Sequence, residues 1–339
     1  MATHTVISGL GMSVPPETVD NSYFTTRTQI TDEWIVSRTG ISERHVLTGG
    51  QTGTDLARAA ALQALAASGR TAADVTHVLL ATCTADSACP SSACILAHKL
   101  NLNNPLAVDV NAACSGFINC LILADALIAR DPSACVLLVA AESLFQRCNI
   151  DDPATAVLFG DGAGAAVMES AAAVKDAAPA LRGELLDALA ASDGANGNLL
   201  LLNGGFASAP YALGDTVGPE YFVRMQGRQL FKHAVRRMAG ACTRILERNG
   251  LSVRDVDLFV PHQANLRIIE SLFAHLGADM DKVFLNVQKY GNTSAASIPI
   301  ALSEAVNEKR VGKGSLVLAA TFGAGLTWGT ALLKFRGSA

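Results

Sequence analysis

Leu106-Ala-Val-Asp-Val110-Asn-Ala-Ala-Cys114-Ser-Gly-Phe117 is the stretch from which the chain can be read outward. Leu106–Val110 is short, apolar and β-branched, and reads as a buried strand. Residues 118–129, Ile-Asn-Cys-Leu-Ile-Leu-Ala-Asp-Ala-Leu-Ile-Ala, read as a buried helix. Cys114 falls at the mouth of that helix, where unpaired N–H groups and the positive dipole end favour a thiolate. Ala112, Ala113, Ser115 and Gly116 leave room beside it for a substrate. Most cysteines are buried core fillers, so one position alone does not separate a nucleophile from a structural thiol.

Composition narrows the field. The 339 residues are long for one core and comfortable for two. Half are hydrophobic and 17% are charged, so whole sheets and helices can be buried. A formal net charge of -4 argues against a nucleic-acid partner. The N-terminus has no basic region followed by an apolar core, and no uninterrupted apolar run reaches membrane-spanning length. A cytoplasmic chain with no membrane partner is expected. The eight cysteines form no C-x-x-C pair, so neither a disulfide framework nor a zinc site is expected.

From the N-terminus, residues 5–11 read as a strand. Gly9-Leu-Gly11 hints at a dinucleotide turn, but Pro15-Pro16 breaks the helix that turn requires. A helix capped by Thr31 or Asp32 and closed by Gly40 carries Trp34 and Arg38 at i, i+4. That pair suits a nucleotide ring and a phosphate, or simply an indole packed on an arginine stem. Residues 55–68 and 90–99 read as helices, and 75–82 and 134–141 as strands. Phe159-Gly-Asp-Gly-Ala-Gly-Ala is a tight turn into a further strand. The longest helix spans residues 221–249, with Arg224, Arg228, Lys232 and Arg236 at intervals of four. Such a stripe is commonly a solvated face; in an acidic chain it also fits an anionic partner.

The second half echoes the first. Residues 74–80 resemble 255–260, residues 135–141 match 315–320, and Phe159-Gly-Asp-Gly matches Phe322-Gly-Ala-Gly. The pattern describes a duplicated α/β chain with buried sheets, divided into residues 1–170 and 171–339 near the alanine-rich stretch 171–180. His262 in Val-Pro-His-Gln-Ala-Asn leaves a strand just before a helix, and Asn292 sits in the small-residue turn Gly-Asn-Thr-Ser. A lone strand-end histidine is ordinarily structural. Cys, His and amide together suit acyl chemistry, with a thiolate nucleophile and two polar groups for a developing negative charge.

Several motifs also resemble the β-ketoacyl-acyl-carrier-protein synthase III family, in order and across essentially the whole chain. They are Asp32-Glu-Trp-Ile-Val-Ser-Arg-Thr-Gly-Ile, Ala112-Ala-Cys-Ser-Gly-Phe, Phe159-Gly-Asp-Gly-Ala-Gly-Ala, Pro261-His-Gln-Ala-Asn-Leu-Arg, Gly291-Asn-Thr-Ser-Ala-Ala-Ser and Phe322-Gly-Ala-Gly-Leu-Thr-Trp-Gly. The resemblance implies the thiolase fold, with two βαβαβαββ halves in an α/β/α/β/α layering, and a homodimer. It implies that Cys114 takes an acyl group from acyl-CoA, with an oxyanion hole from the backbone N–H groups of Cys114 and Ala324. It gives His262 and Asn292 the decarboxylation of malonyl-acyl carrier protein, with a CoA thioester as substrate and neither cofactor nor metal. Trp34 and Arg38 then fall on CoA-binding positions, and Thr31, Asn265 and Phe322 on the substrate channel. Arg267 joins the stripe Arg224, Arg228, Lys232 and Arg236 as a carrier-docking surface.

Three departures from the family pattern stand out. No Arg occupies the stretch Asp151-Asp-Pro-Ala-Thr where the family often has one against the adenine. Cys89 replaces a bulky residue at the acyl pocket. Ala274 and His275 replace basic residues after the His motif. They motivate a same-fold condensing enzyme or acyltransferase of secondary metabolism, using an unusual acyl group or acceptor, as the alternative. A Cys-His-Asn thioester hydrolase and a non-enzymatic scaffold are the more distant readings.

Overall fold

A computed structural model describes residues 4–174 and 181–337. Nine strands form one mixed sheet: β1 (Thr5–Ser13), β2 (His77–Ala81), β3 (Leu106–Val110), β4 (Cys135–Ser143), β5 (Asp161–Ser170), β6 (Arg182–Ser192), β7 (Leu258–Pro261), β8 (Leu316–Gly323) and β9 (Thr327–Arg336). The order across it is β7-β8-β9-β6-β1-β5-β4-β2-β3. The first half runs β2 parallel to β4, then β4, β5 and β1 antiparallel. The second repeats this, with β7 parallel to β8, then β8, β9 and β6 antiparallel. A two-residue pairing, Val6 with Glu184 and Ile7 with Gly183, joins the halves. The counterpart of β3 is reduced to a single bridge, Phe259 with Val283. Part of the alanine-rich stretch between the halves, residues 175–180, lies outside the described residues.

The helices make three layers around these strands. The helices α2 (Gly53–Ser68) and α3 (Ser92–Lys99) cover the outer face of the first half. α5 (Gly227–Arg248) covers the second, with α6 (Leu266–Leu276) packed beside it. α4 (Gly116–Arg130) and α7 (Ser297–Asn307) lie between the halves and touch strands of both. Alanines line the buried face of α2, at Ala57, Ala60, Ala61 and Ala64, so it can approach β1 closely. Gly9 and Gly11 complete that approach: a Cβ at either would come within 2.2 Å of a carbonyl oxygen of α2. Helix-on-strand packing is thus what the Gly9-Leu-Gly11 pattern serves.

Most expected elements form, with two corrections. β3 is an edge strand, not a buried one; Leu106 is 49% and Val108 41% exposed in the single chain. The long helix begins at Gly227, because Pro219–Tyr221 forms its own 3-10 turn and Arg224-Met225 a short strand. Residues Ala113–Arg130 form an 18-residue helical stretch apolar enough by length and composition to cross a bilayer, although Asn119 and Asp125 interrupt its apolar run. It is the central helix, with Phe117, Ile118, Leu121 and Ala124 buried, so its apolarity is accounted for by the core. All eight cysteines are free thiols.

Candidate active site

Cys114 sits in a 3-10 turn, Ala113–Ser115, directly ahead of α4. The turn is held from behind by β8: the Thr321 hydroxyl donates to the Cys114 carbonyl at 2.9 Å. Gly323 packs against it so closely that a Cβ there would lie 2.8 Å from the Cys114 nitrogen. Burial pushes the Cys114 thiol up to about 12, against the pull of the Ser294 hydroxyl. Burial therefore opposes the thiolate expected from sequence at the helix mouth.

His262 follows β7 and Asn292 precedes the turn into α7; both are buried. The His262 Nδ1 is 2.6 Å from the Ser297 hydroxyl, which fixes the ring. Burial draws its pKa from 6.5 to about 3, so the imidazole is neutral. The Asn292 side-chain oxygen accepts the Ser294 N–H at 2.9 Å. Among the described residues the outward Nε2 of His262 and the amide nitrogen of Asn292 have no partner. Both side chains and Cys114 line one cavity of about 740 Å³.

Trp34 and Arg38 stand at the mouth of that cavity, the guanidinium 4.6 Å from the indole centroid. Their helix, α1 (Asp32–Thr39), is capped by the Thr31 hydroxyl, which accepts the Trp34 N–H at 3.2 Å, and stopped by Gly40 at φ +76°. Arg228, Lys232, Asn265, Arg267 and Phe322 also line the cavity. Asn265 does so while capping α6, its Oδ1 accepting the Arg267 N–H at 3.0 Å.

This arrangement has close relatives. Residues 108–182 match the family model 3-Oxoacyl-[acyl-carrier-protein (ACP)] synthase III, and residues 246–335 match the model of its C-terminal part. The beta-ketoacyl-[acyl-carrier-protein] synthase III of Nitratidesulfovibrio vulgaris (strain DP4) is 51% identical over 99% of this chain and 100% of its own. That of Oleidesulfovibrio alaskensis is 50% identical over 98% and 100%. The chain belongs to the β-ketoacyl-acyl-carrier-protein synthase III family. The crystal structure of the Aquifex aeolicus VF5 3-oxoacyl-[acyl-carrier-protein] synthase III superposes with a TM-score of 0.87 at 39% identity, covering 97% of this chain and 99% of that one. The protein is an acyltransferase with the thiolase fold.

Placed in this synthase III frame, some expected contacts move. Thr31 caps α1 and is not part of the cavity lining. Arg224 precedes α5 and donates to the Asn203 side chain at 2.6 Å. Arg236 has drifted round α5 to line a second groove, with Arg244 and Trp328, because successive steps of four rotate about 40° on a helix. The basic set at the cavity mouth is therefore Arg228, Lys232 and Arg267. Cys89 is exposed and lies outside its own chain's cavity.

Ser294, Ser297, Thr321 and Glu142 escaped the reading of the sequence. The serines carried a signal, since both fall in the small-residue run after Asn292. Glu142 carried a clearer one: it ends the otherwise apolar run Cys135–Ala141 and is fully buried.

Proposed function

We propose that this acyltransferase condenses an acyl-CoA primer with malonyl-acyl carrier protein through an acyl-Cys114 intermediate. The Cys114 sulfur adds to the acyl thioester carbonyl. Its oxyanion is held by the N–H groups of Cys114 and Ala324, and CoA leaves as its thiolate. The malonyl thioester then loses its carboxylate as carbon dioxide, and the electron pair passes into an enolate. His262 Nε2–H and an Asn292 amide N–H donate to the enolate oxygen. The enolate carbon attacks the acyl-Cys114 carbonyl and expels the Cys114 thiolate, giving the 3-oxoacyl thioester. No cofactor or metal is called for.

One observation carries this assignment. The inner atoms of both side chains are occupied, His262 Nδ1 by Ser297 and Asn292 Oδ1 by the Ser294 N–H. A hydroxyl donating to Nδ1 leaves the imidazole proton on Nε2, so two neutral donors converge on the cavity that holds Cys114. The same geometry disfavours a Cys-His-Asn hydrolase, where the Asn orients the imidazole; here Ser297 does. Full-length identity near one half favours the synthase reading over a secondary-metabolite acceptor.

The cavity mouth fits the two carriers. Trp34 and Arg38 suit the nucleotide of CoA, and Arg228, Lys232 and Arg267 suit an acidic carrier protein. The bare edge of β3, with Leu106 and Val108 exposed, supports a homodimer built on that edge. Cys89 would then reach the partner's acyl pocket. We place the enzyme in the cytoplasm, which its eight free thiols suit, and divide its two halves after residue 170. Single-turnover acylation of Cys114, measured beside release of labelled carbon dioxide from malonyl carrier protein, tests the reaction. Acylation without carbon dioxide release, followed by hydrolysis, would refute it.

A further inference from the structure

We propose that Cys114, Ser294 and Glu142 form a proton relay. In it Glu142 takes the thiol proton when Cys114 becomes a nucleophile and returns it when Cys114 is protonated again.

The geometry starts from one hydroxyl with two neighbours. Ser294 Oγ lies 3.4 Å from Cys114 Sγ and 3.1 Å from Glu142 Oε1. A hydroxyl has one proton and cannot donate to both. Two arrangements are possible. With a thiol, Cys114 S–H donates to Ser294 and Ser294 donates to the Glu142 carboxylate. With a thiolate, protonated Glu142 donates to Ser294 and Ser294 donates to sulfur. They interconvert by moving two protons in step: Cys114 to Ser294 Oγ, and Ser294 Oγ to Glu142. No atom or charge is gained from outside, and the net charge of the trio stays at minus one.

Ser294 is held for this task. It is 1% exposed and has φ +51°, a conformation uncommon for a residue other than glycine, fixed by the bond from its N–H to Asn292. Glu142 is fully buried and has no Lys, Arg or His partner among the described residues. Its oxygens take donors from the Cys83 N–H at 3.2 and 3.1 Å, Thr84 Oγ1 at 2.5 Å and Thr82 Oγ1 at 3.3 Å. The titratable groups against it are the Cys83 thiol, 3.4 Å from both oxygens, and Cys114 beyond Ser294. Burial raises the Glu142 carboxyl above its ordinary range and pushes the Cys83 thiol well up. Cys83 therefore stays protonated, and Glu142 is the basic member of the cluster. Glu142 acts through Ser294, so it is a positioning residue.

The proposal rests on Cys114 being the nucleophile, and a test that needs no acyl substrate separates the two. Alkylation of Cys114 by iodoacetamide, followed by peptide mass mapping from mildly acid to strongly alkaline pH, reads its thiolate fraction. In the wild type the rate should rise as the pair loses its first proton, hold a plateau across neutral pH, and rise again at high pH. Glu142→Gln should remove the plateau and slow alkylation at neutral pH by about 10-fold or more. Ser294→Ala, which leaves the Glu142 contacts to Cys83 and Thr84 in place, should do the same, and it decides the matter if Glu142→Gln does not fold. If Glu142 merely repels a thiolate, Glu142→Gln would instead alkylate faster with its midpoint lowered. That result, or an unchanged profile in either folded variant, would overturn the relay. Failure of Cys114 as the nucleophile would show separately, as absence of an acyl adduct.

Discussion

The Ser297 hydroxyl lies 2.6 Å from the inner nitrogen of His262, and a proton donated there would leave the buried neutral imidazole as a donor on its Nε2, in the lining of the Cys114 cavity. With Asn292, whose oxygen is already engaged, it would supply the two donors that the proposed enolate requires.

Removing either donor should therefore cost decarboxylation far more than acylation. His262→Ala and Asn292→Ala should each lower carbon dioxide release by roughly 100-fold, the usual loss for one such donor. Ser297→Ala should lower it by less, about 5-fold, since it loosens the ring without removing it. Single-turnover acylation and labelled carbon dioxide release, compared on each variant, check this. Equal losses in both steps would contradict it.

Burial of His262 also fixes a pH dependence. Its folded pKa of about 3 lies below the ordinary 6.5. Below pH 6.5 the unfolded chain gains a proton that the folded chain refuses, so stability is full above that pH and falls as pH drops toward 3. His262→Asn should flatten this part of the acid limb. Thermal melts across that window, wild type against variant, would show parallel curves if the histidine were not the source.

At the cavity mouth, charge reversal at Arg228, Lys232 or Arg267 should raise the KM for carrier protein and flatten its salt dependence, with little change in kcat. Arg236→Glu should leave both unchanged, because Arg236 lines the other groove. Steady-state kinetics over a salt series distinguishes the two sets. An equal effect from Arg236 would return the docking surface to the whole stripe.

The proposed place of Cys89 would tie acyl size to assembly. If its loop caps the partner's pocket, a small side chain there leaves room for medium, branched or aromatic acyl groups. Each added buried methylene contributes ~0.8 kcal/mol. Cys89→Phe should narrow the enzyme toward acetyl-CoA, and Val108→Lys on the β3 edge should separate the protomers and abolish that effect. Chain-length series of acylation kcat/KM with sizing chromatography read both. Strict acetyl preference in the wild type would end the idea.

Much of this was legible in the chain itself. Cys114 and His262 each follow an apolar strand, and Asn292 stands in a run of small residues, so a change of pattern marks each. The repeated strand order was legible too, because buried sheets leave long apolar runs. Arg236 lines the other groove because a four-residue spacing drifts around a helix, and the sequence carries no marker of which groove each turn faces. β3 was read as buried because an edge strand can carry the same apolar composition as a core strand. Glu142 and Ser294 were missed because their roles arise from contacts 152 residues apart.

Intact-mass analysis after mixing with acyl-CoA, then with malonyl carrier protein, tests acyl transfer through Cys114 most directly. The expected result is one acyl group on the wild type, mapped to Cys114 and absent from folded Cys114→Ala. Malonyl carrier protein should discharge it with release of one carbon dioxide and appearance of the 3-oxoacyl product. A persistent acyl adduct on Cys114→Ala, or discharge to free acid without carbon dioxide, would contradict it.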